Sequence, residues 1–371
     1  LPELKSADEL AANCTRFLQG HGRRPPKDRL AEIGEGVAPD TYGQGGVVEE
    51  LELELARLLA KPAAVFMPSG TMAQQIALRI HADQRGRRGV AFHPACHLLH
   101  HEELAYQELH HLTGVPVGEP ERLIELADLE RITEQPAALL LELPQRDIGG
   151  QLPEFAQLEA QVGWARDRGV AVHMDGARIW ESTPYYERSL AELAALFDTV
   201  YVSFYKGLGA IAGCCLAGPE EIIEEARTWR ARHGGRVVAL WPYAASAKAA
   251  LHLRLGRMPE YYRHALAIAA SLQGLEGVQV LPFRPQAPMM HLLLSMTAAE
   301  LEGATSELAE SEAIWTWPRP FQSALPAQDG LVRVELVVGD GTLEFSPEEV
   351  REIVGRLVNW SGPQATLEQG A

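Results

Sequence analysis

The sequence predicts an α/β protein: a mostly parallel sheet flanked by helices, followed by a smaller α+β C-terminal domain. Three observations carry that expectation. Short β-branched apolar runs at 170–175 and 199–203 read as strands buried on both faces, which is the pattern of a parallel sheet. Amphipathic helical stretches alternate with runs of this kind through the first two thirds of the chain. Past residue 244 the text changes to two long helical stretches, four strand-like runs and a last helix.

Composition narrows the possibilities. At 371 residues the chain has room for a large core. The change of pattern divides it into an expected large domain with its N-terminal arm, 1–245, and a small domain, 246–371. A net charge of -17 argues against an electrostatic grip on nucleic acid or on an anionic membrane surface. No apolar run approaches the roughly 20 residues a membrane helix needs. Cys14, Cys96, Cys214 and Cys215 lack the spacing of a disulfide framework or a zinc site, and no secretory signal leads the chain. A cytoplasmic protein is the expectation.

In chain order, residues 1–30 read as a polar arm with a short helix at 7–18, closed by Arg23-Arg24-Pro25-Pro26. Asp40-Thr41-Tyr42-Gly43 opens a glycine-rich turn ahead of an amphipathic helix at 48–59. A strand at 63–67 turns through Pro68-Ser69-Gly70-Thr71 into a helix at 72–82. That helix start offers free backbone N–H groups and a favourable dipole, so Ser69, Gly70 and Thr71 are candidates for holding a phosphate. The stretch 93–111 is rich in histidine, and His97 and His101 share a helical face. No metal site is expected there, because His101-Glu102 lacks the second histidine that a zinc-hydrolase helix places three residues after the glutamate. A strand at 137–143 leads into the loop 144–150, which carries Arg146. The run 170–175 ends at Asp175, with Arg178 three residues on; the run 199–203 ends at Ser203 and delivers Lys206. A small-residue strand at 211–217 and a helix at 219–232 follow. Beyond lie helices at 244–255 and 260–272, strands at 278–281, 291–294, 314–317 and 331–338, a helix at 347–358, and a tail, 361–371, expected to be disordered.

The chemistry sits at strand ends. An acid at the end of one strand and a lysine just past another converge at the carboxyl edge of an open α/β sheet, where such sheets bind ligands. The pair suits pyridoxal 5'-phosphate: the lysine holds the aldehyde as a Schiff base and the carboxylate keeps the pyridine nitrogen protonated. A free lysine amine titrates near 10.4, so this role needs surroundings that lower its proton affinity. A dinucleotide-dependent oxidoreductase would instead show Gly-x-Gly-x-x-Gly between first strand and helix, and the chain has none in that setting.

Asp175-Gly176-Ala177-Arg178 and Lys206-Gly207-Leu208-Gly209-Ala210, with Ser69-Gly70-Thr71-Met72-Ala73 and Asp40-Thr41-Tyr42-Gly43 upstream, resemble the threonine aldolase family. That family belongs to the β-eliminating lyases of aspartate-aminotransferase fold, fold type I, with a seven-stranded sheet. The resemblance covers residues 40–235 and implies the following roles. His97 stacks on the pyridine ring and moves a proton, with Glu102 five residues later as its partner. Asp175 and Lys206 hold the ring nitrogen and the aldehyde, while Ser203, in a Ser-x-x-Lys spacing, contacts phosphate. Arg178 and Arg333 clamp the substrate carboxylate. Tyr42 lies near the cofactor or a subunit contact, in a homodimer or homotetramer with active sites at the interface. The reaction implied is cleavage of the Cα–Cβ bond of a β-hydroxy amino acid to glycine and an aldehyde; elimination, racemisation and transamination use the same parts. The chain departs from the family pattern in the arm, which has no Ser-Asp-Thr. It departs again at Tyr205, where a serine is usual, and at Glu335 to Gly339, where threonines are usual.

Overall fold

The computed structural model describes residues 6–326 and 328–362; most of the tail expected to be disordered therefore lies outside the described residues. They group into two compact units. One is Arg24–Glu260, and the other joins the described parts of Leu1–Arg23 and Tyr261–Ala371. This division differs from 1–245 and 246–371 at both ends, for two reasons given below.

Twelve strands are present among the described residues: β1 (Arg16–Phe17), β2 (Ala63–Met67), β3 (Gly89–Phe92), β4 (Thr113–Pro116), β5 (Ala138–Glu142), β6 (Ala171–Gly176), β7 (Thr199–Ser203), β8 (Cys214–Gly218), β9 (Val278–Leu281), β10 (Met289–Leu294), β11 (Ile314–Trp315) and β12 (Val332–Val337). The larger unit is built on a seven-stranded sheet in the order β2-β8-β7-β6-β5-β3-β4. From β7 to β4 every pair is parallel, and β8 runs antiparallel to both β7 and β2. The inner strands have almost no exposed residue because each is a near-continuous apolar run with helices on both faces.

One face is covered by the Gly70–Arg85 and Glu220–Arg232 helices. Ala73, Ile76, Ala77 and Ile80 form the apolar stripe of the first, and it packs with Ile222, Ile223 and Ala226 of the second against Val65, Met67, Tyr201 and Leu216 of the sheet. Full burial of Ile76 and Ile80 contributes about 1.5–3 kcal/mol each. The edge strand β4 is half-exposed and closes on Pro116, whose missing N–H an edge tolerates.

In the smaller unit β9, β10 and β12 make an antiparallel sheet in which β12 alternates buried and half-buried residues, so one face is covered. The arm belongs to this unit because β1 pairs in parallel with β11, Arg16 opposite Ile314 and Phe17 opposite Trp315. The second shift of boundary comes from the long helical region. It breaks at a short 3-10 turn, Leu255–Arg257, and the division falls inside the helix that follows, Met258–Leu272. No helix among the described residues is long and apolar enough to cross a membrane. All four cysteines are buried free thiols.

Candidate active site

Parallel strands carry their carboxyl ends to one edge of the large sheet, and the chemistry gathers there. β5 ends at Glu142, and its register partner Asp175 is the last residue but one of β6; Lys206 stands three residues past β7. β3 leads to His97, and β2 leads to the Gly70–Arg85 helix start.

Asp175 is buried, and both its oxygens are held. Oδ1 accepts the Ala177 N–H at 3.0 Å and Oδ2 accepts from the Gln74 side-chain amide. Burial raises this carboxyl above its ordinary value, while His97, the Ala177 N–H and Lys206 draw it back. Glu142 beside it is pushed up to about 8, chiefly by burial and by Asp175. It accepts the backbone N–H groups of His97 and Arg146, at 3.2 and 3.1 Å, and the Gln145 amide at 3.1 Å.

His97 opens a short helix, His97–His100, and its Nδ1 lies 3.0 Å from Glu102 Oε1. Burial pushes the imidazole down to about 4 and Glu102 up to about 7. His97 is therefore neutral at physiological pH. With Nδ1–H donated to Glu102, its Nε2 keeps a lone pair, the form an imidazole needs to act as a base. The His101 ring centroid stands 5.1 Å away, with His101 Nε2 3.4 Å from Asp147 Oδ2.

Lys206 donates its backbone N–H to Ser203 Oγ at 3.3 Å, and its Nζ lies 5.3 Å from the centre of the Tyr205 ring. Its charge acts on His97, Glu102 and Asp175 alike, which puts the amine within electrostatic reach of all three. Gly207 owes its identity to crowding: a Cβ there would meet Glu181 Oε1 at 1.8 Å. Gly70 is fixed in the same way, since its Cβ would stand 2.1 Å from Tyr201 Oη.

The remaining candidates spread out. Ser69 is the N-cap of the Gly70–Arg85 helix and accepts the Met72 N–H at 3.3 Å, with Thr71 in the first turn. Ser203 is buried, and its hydroxyl oxygen accepts the Lys206 backbone N–H. Arg178 precedes the Ile179–Tyr186 helix, its Nε 3.9 Å from Glu181 Oε1. Tyr42 is 46% exposed and lines a different cleft of about 680 Å³, walled by both arginines and glutamates, Arg227, Arg230 and Arg236 with Glu52 and Glu224 among them, and by none of the residues around Lys206. Arg333, in the smaller unit, donates to Ser323 Oγ at 3.2 Å beside a mainly apolar cavity of about 610 Å³. Sequence reasoning passed over Gln74, His173, Tyr201 and Glu181. For His173 a signal existed, since residues two apart on a strand share a face and Asp175 follows it by two.

A family model described as beta-eliminating lyase matches residues 29–294. The chain belongs to that family. The lyase is similar to a low-specificity L-threonine aldolase of Arabidopsis thaliana, with 28% identity over 69% of this chain and 74% of the relative. Among solved structures it is similar to a putative aromatic amino acid beta-eliminating lyase/threonine aldolase from Exiguobacterium: 39% identity, 95% and 99% of the two chains covered, TM-score 0.87. A putative L-allo-threonine aldolase from Listeria monocytogenes gives 37% identity, 94% and 98% coverage, and TM-score 0.86. Serine palmitoyltransferase of Sphingomonas wittichii, at 17% identity and TM-score 0.64 over 92% and 86% of the chains, shares the fold. The fold is type I and the cofactor is pyridoxal phosphate. The lyase's own residues fit that group: a buried carboxylate at one strand end, a lysine past the next, and a helix start whose N-cap, Ser69, is exposed.

Proposed function

We propose that this lyase cleaves the Cα–Cβ bond of a β-hydroxy amino acid to glycine and an aldehyde, as a threonine aldolase does. The observation that carries the reading is the neutral His97, paired with Glu102 at the sheet edge that also carries Asp175 and Lys206. When bound, pyridoxal phosphate supplies an electron-poor ring that takes up the electrons released as the bond breaks. Lys206 holds the group through its amine, Asp175 keeps a proton on the pyridine nitrogen, and the Ser69 to Thr71 corner receives the phosphate. His97 Nε2 accepts the proton of the β-hydroxyl, and Glu102 fixes the imidazole tautomer that leaves this nitrogen bare. Arg178 and Arg333 are assigned the substrate carboxylate, which a guanidinium binds through two parallel hydrogen bonds. A homodimer or homotetramer in the cytoplasm completes the reading. Support for assembly comes from the exposed apolar residues Tyr42, Val237 and Val238, with Tyr42 lining a cleft of mixed charge.

The test is incubation of the holoenzyme with threonine, allo-threonine and phenylserine, scoring glycine and the matching aldehyde. Aldehyde from at least one of them is expected. Its absence, with pyruvate and ammonia released from serine, moves the reaction to elimination.

A further inference from the structure

Behind Asp175 a line of buried polar side chains runs back along the sheet, and the reaction described above uses none of it. His81 Nε2 lies 2.8 Å from Thr199 Oγ1, and Thr199 Oγ1 lies 2.8 Å from His173 Nδ1. His173 Nε2 is 2.6 Å from Gln74 Oε1, and the Gln74 amide nitrogen meets Asp175 Oδ2. All five side chains are buried. Two packed layers build the line: Gln74 and His81 stand two turns apart on the Gly70–Arg85 helix, His173 and Asp175 share a face of β6, and Thr199 is the register partner of His173 on β7.

The direction of each bond follows from the one before. An ionised carboxylate only accepts, so Gln74 turns its NH2 to Asp175 and its carbonyl to His173. His173 Nε2 must then carry the proton, which leaves Nδ1 of the neutral ring to accept from the Thr199 hydroxyl. The hydroxyl oxygen in turn accepts from His81 Nε2–H, and His81 Nδ1 has no hydrogen-bond partner among the described residues. Burial pushes both imidazoles down to about 3, so they stay uncharged wherever the enzyme is folded and active. Every donor in the line points toward Asp175.

We propose that Gln74 is a positioning residue for the reaction: its amide, oriented by His173, Thr199 and His81, holds the Asp175 carboxylate in one plane and keeps it ionised against its burial. The inference rests on the reading that Asp175 faces the pyridine nitrogen. Without the Gln74 donor the burial of the carboxyl is less opposed, and Asp175 takes up a proton instead of holding one on the ring nitrogen.

The experiment compares Gln74→Leu, Thr199→Val and Asp175→Asn with the wild type. It measures the dissociation constant for pyridoxal phosphate and the ring-nitrogen resonance of enzyme loaded with the 15N-labelled cofactor. Gln74→Leu keeps the volume and removes the donor. It should weaken cofactor binding about tenfold or more and move the resonance toward that of the unprotonated ring. Thr199→Val cuts the line upstream and frees the amide to turn over, so it should shift the same resonance in the same direction by less. It also carries the test by itself if loss of a buried amide unfolds the first variant. If Asp175→Asn leaves affinity and resonance at wild-type values, the reading of Asp175 fails and this proposal with it. If Asp175→Asn is altered while the folded Gln74→Leu and Thr199→Val proteins match the wild type, the positioning role alone is overturned.

Discussion

The roles proposed for Lys206 and His97 are separable. Replacing Lys206 by Ala removes the amine assigned to hold the cofactor, so turnover should vanish, and borohydride treatment should add no cofactor mass to the chain. His97→Ala should lower kcat by about 10²–10⁴-fold while the protein still takes up pyridoxal phosphate. Full activity in either variant contradicts these roles. The pH profile follows from the same imidazole: its base form is present above its pKa and lost as pH falls through about 4. The acid limb of kcat/KM assigned to His97 should therefore lie well below the ordinary histidine value of about 6.5. A limb near 6.5 that disappears in His97→Ala would show an ordinary, solvated imidazole instead.

At the scale of elements, two contacts hold the site's loops in place. The Lys206 turn lies so close to the Ile179–Tyr186 helix that a Cβ on Gly207 would overlap the Glu181 carboxylate. Gly207→Ala should cost about 1–3 kcal/mol and displace the lysine. Adding Glu181→Ala makes room, so the double variant should recover part of the loss of melting temperature; strict additivity would mean the two side chains do not meet. Asp40 ties the glycine-rich turn to the Trp241–Arg254 helix. Its Oδ2 accepts the Gly43 N–H at 2.6 Å, and its Oδ1 accepts the N–H groups of Leu240 and Trp241 at 2.8 and 2.7 Å. Asp40→Ala strands these donors at a helix start, and a loss of about 2 kcal/mol or more in urea unfolding is expected. The Asp40 to Gly43 motif, one of those that carry the family resemblance, thus has a structural task of its own.

For the whole molecule, buried titrating groups set how stability varies with pH. His81 and His173 are pushed down to about 3, and His97 and His110 to about 4. Their unfolded counterparts take up protons below about 6.5, so the unfolded chain binds more protons and stability falls as pH drops through that window. Glu102 and Glu142 act oppositely. Folded, they keep their protons up to about 7 and 8, whereas unfolded they ionise near 4.5. Stability from these two falls as pH rises toward those values. Four imidazoles outweigh two carboxyls below about 6.5, and above it only the carboxyls act, so the melting temperature of the cofactor-free protein should peak between about pH 6 and 7. A melting temperature that still climbs from pH 7 to 8.5 would show that these burials do not govern it.

What could be read from the residues alone divides cleanly by range. The strands at 63–67, 138–142, 171–176 and 199–203 were legible because each is an apolar run whose period declares burial on both faces, a property of neighbours in the chain. From their ends, Asp175 and Lys206 followed as the candidate pair, because parallel strands bring their carboxyl ends to one edge whatever the loops do. β4 was not legible, since an edge strand of half-exposed residues closing on Pro116 lacks that period. Nor was the place of the arm, because β1 is two residues long and exists through β11, almost three hundred positions away. Gln74 shows the same limit at the site: it stands 101 positions from Asp175, and nothing in its own surroundings announces a carboxylate partner. The sequence by itself determined most strands of the large sheet, the edge where their candidate residues gather and the cofactor that edge suits, because local periodicity controls burial. Only the tertiary structure decided which buried side chains hold Asp175, which carboxylate crowds Gly207 and that Ser203 serves the lysine turn, because hydrogen bonds and steric exclusion are settled by groups that meet in space.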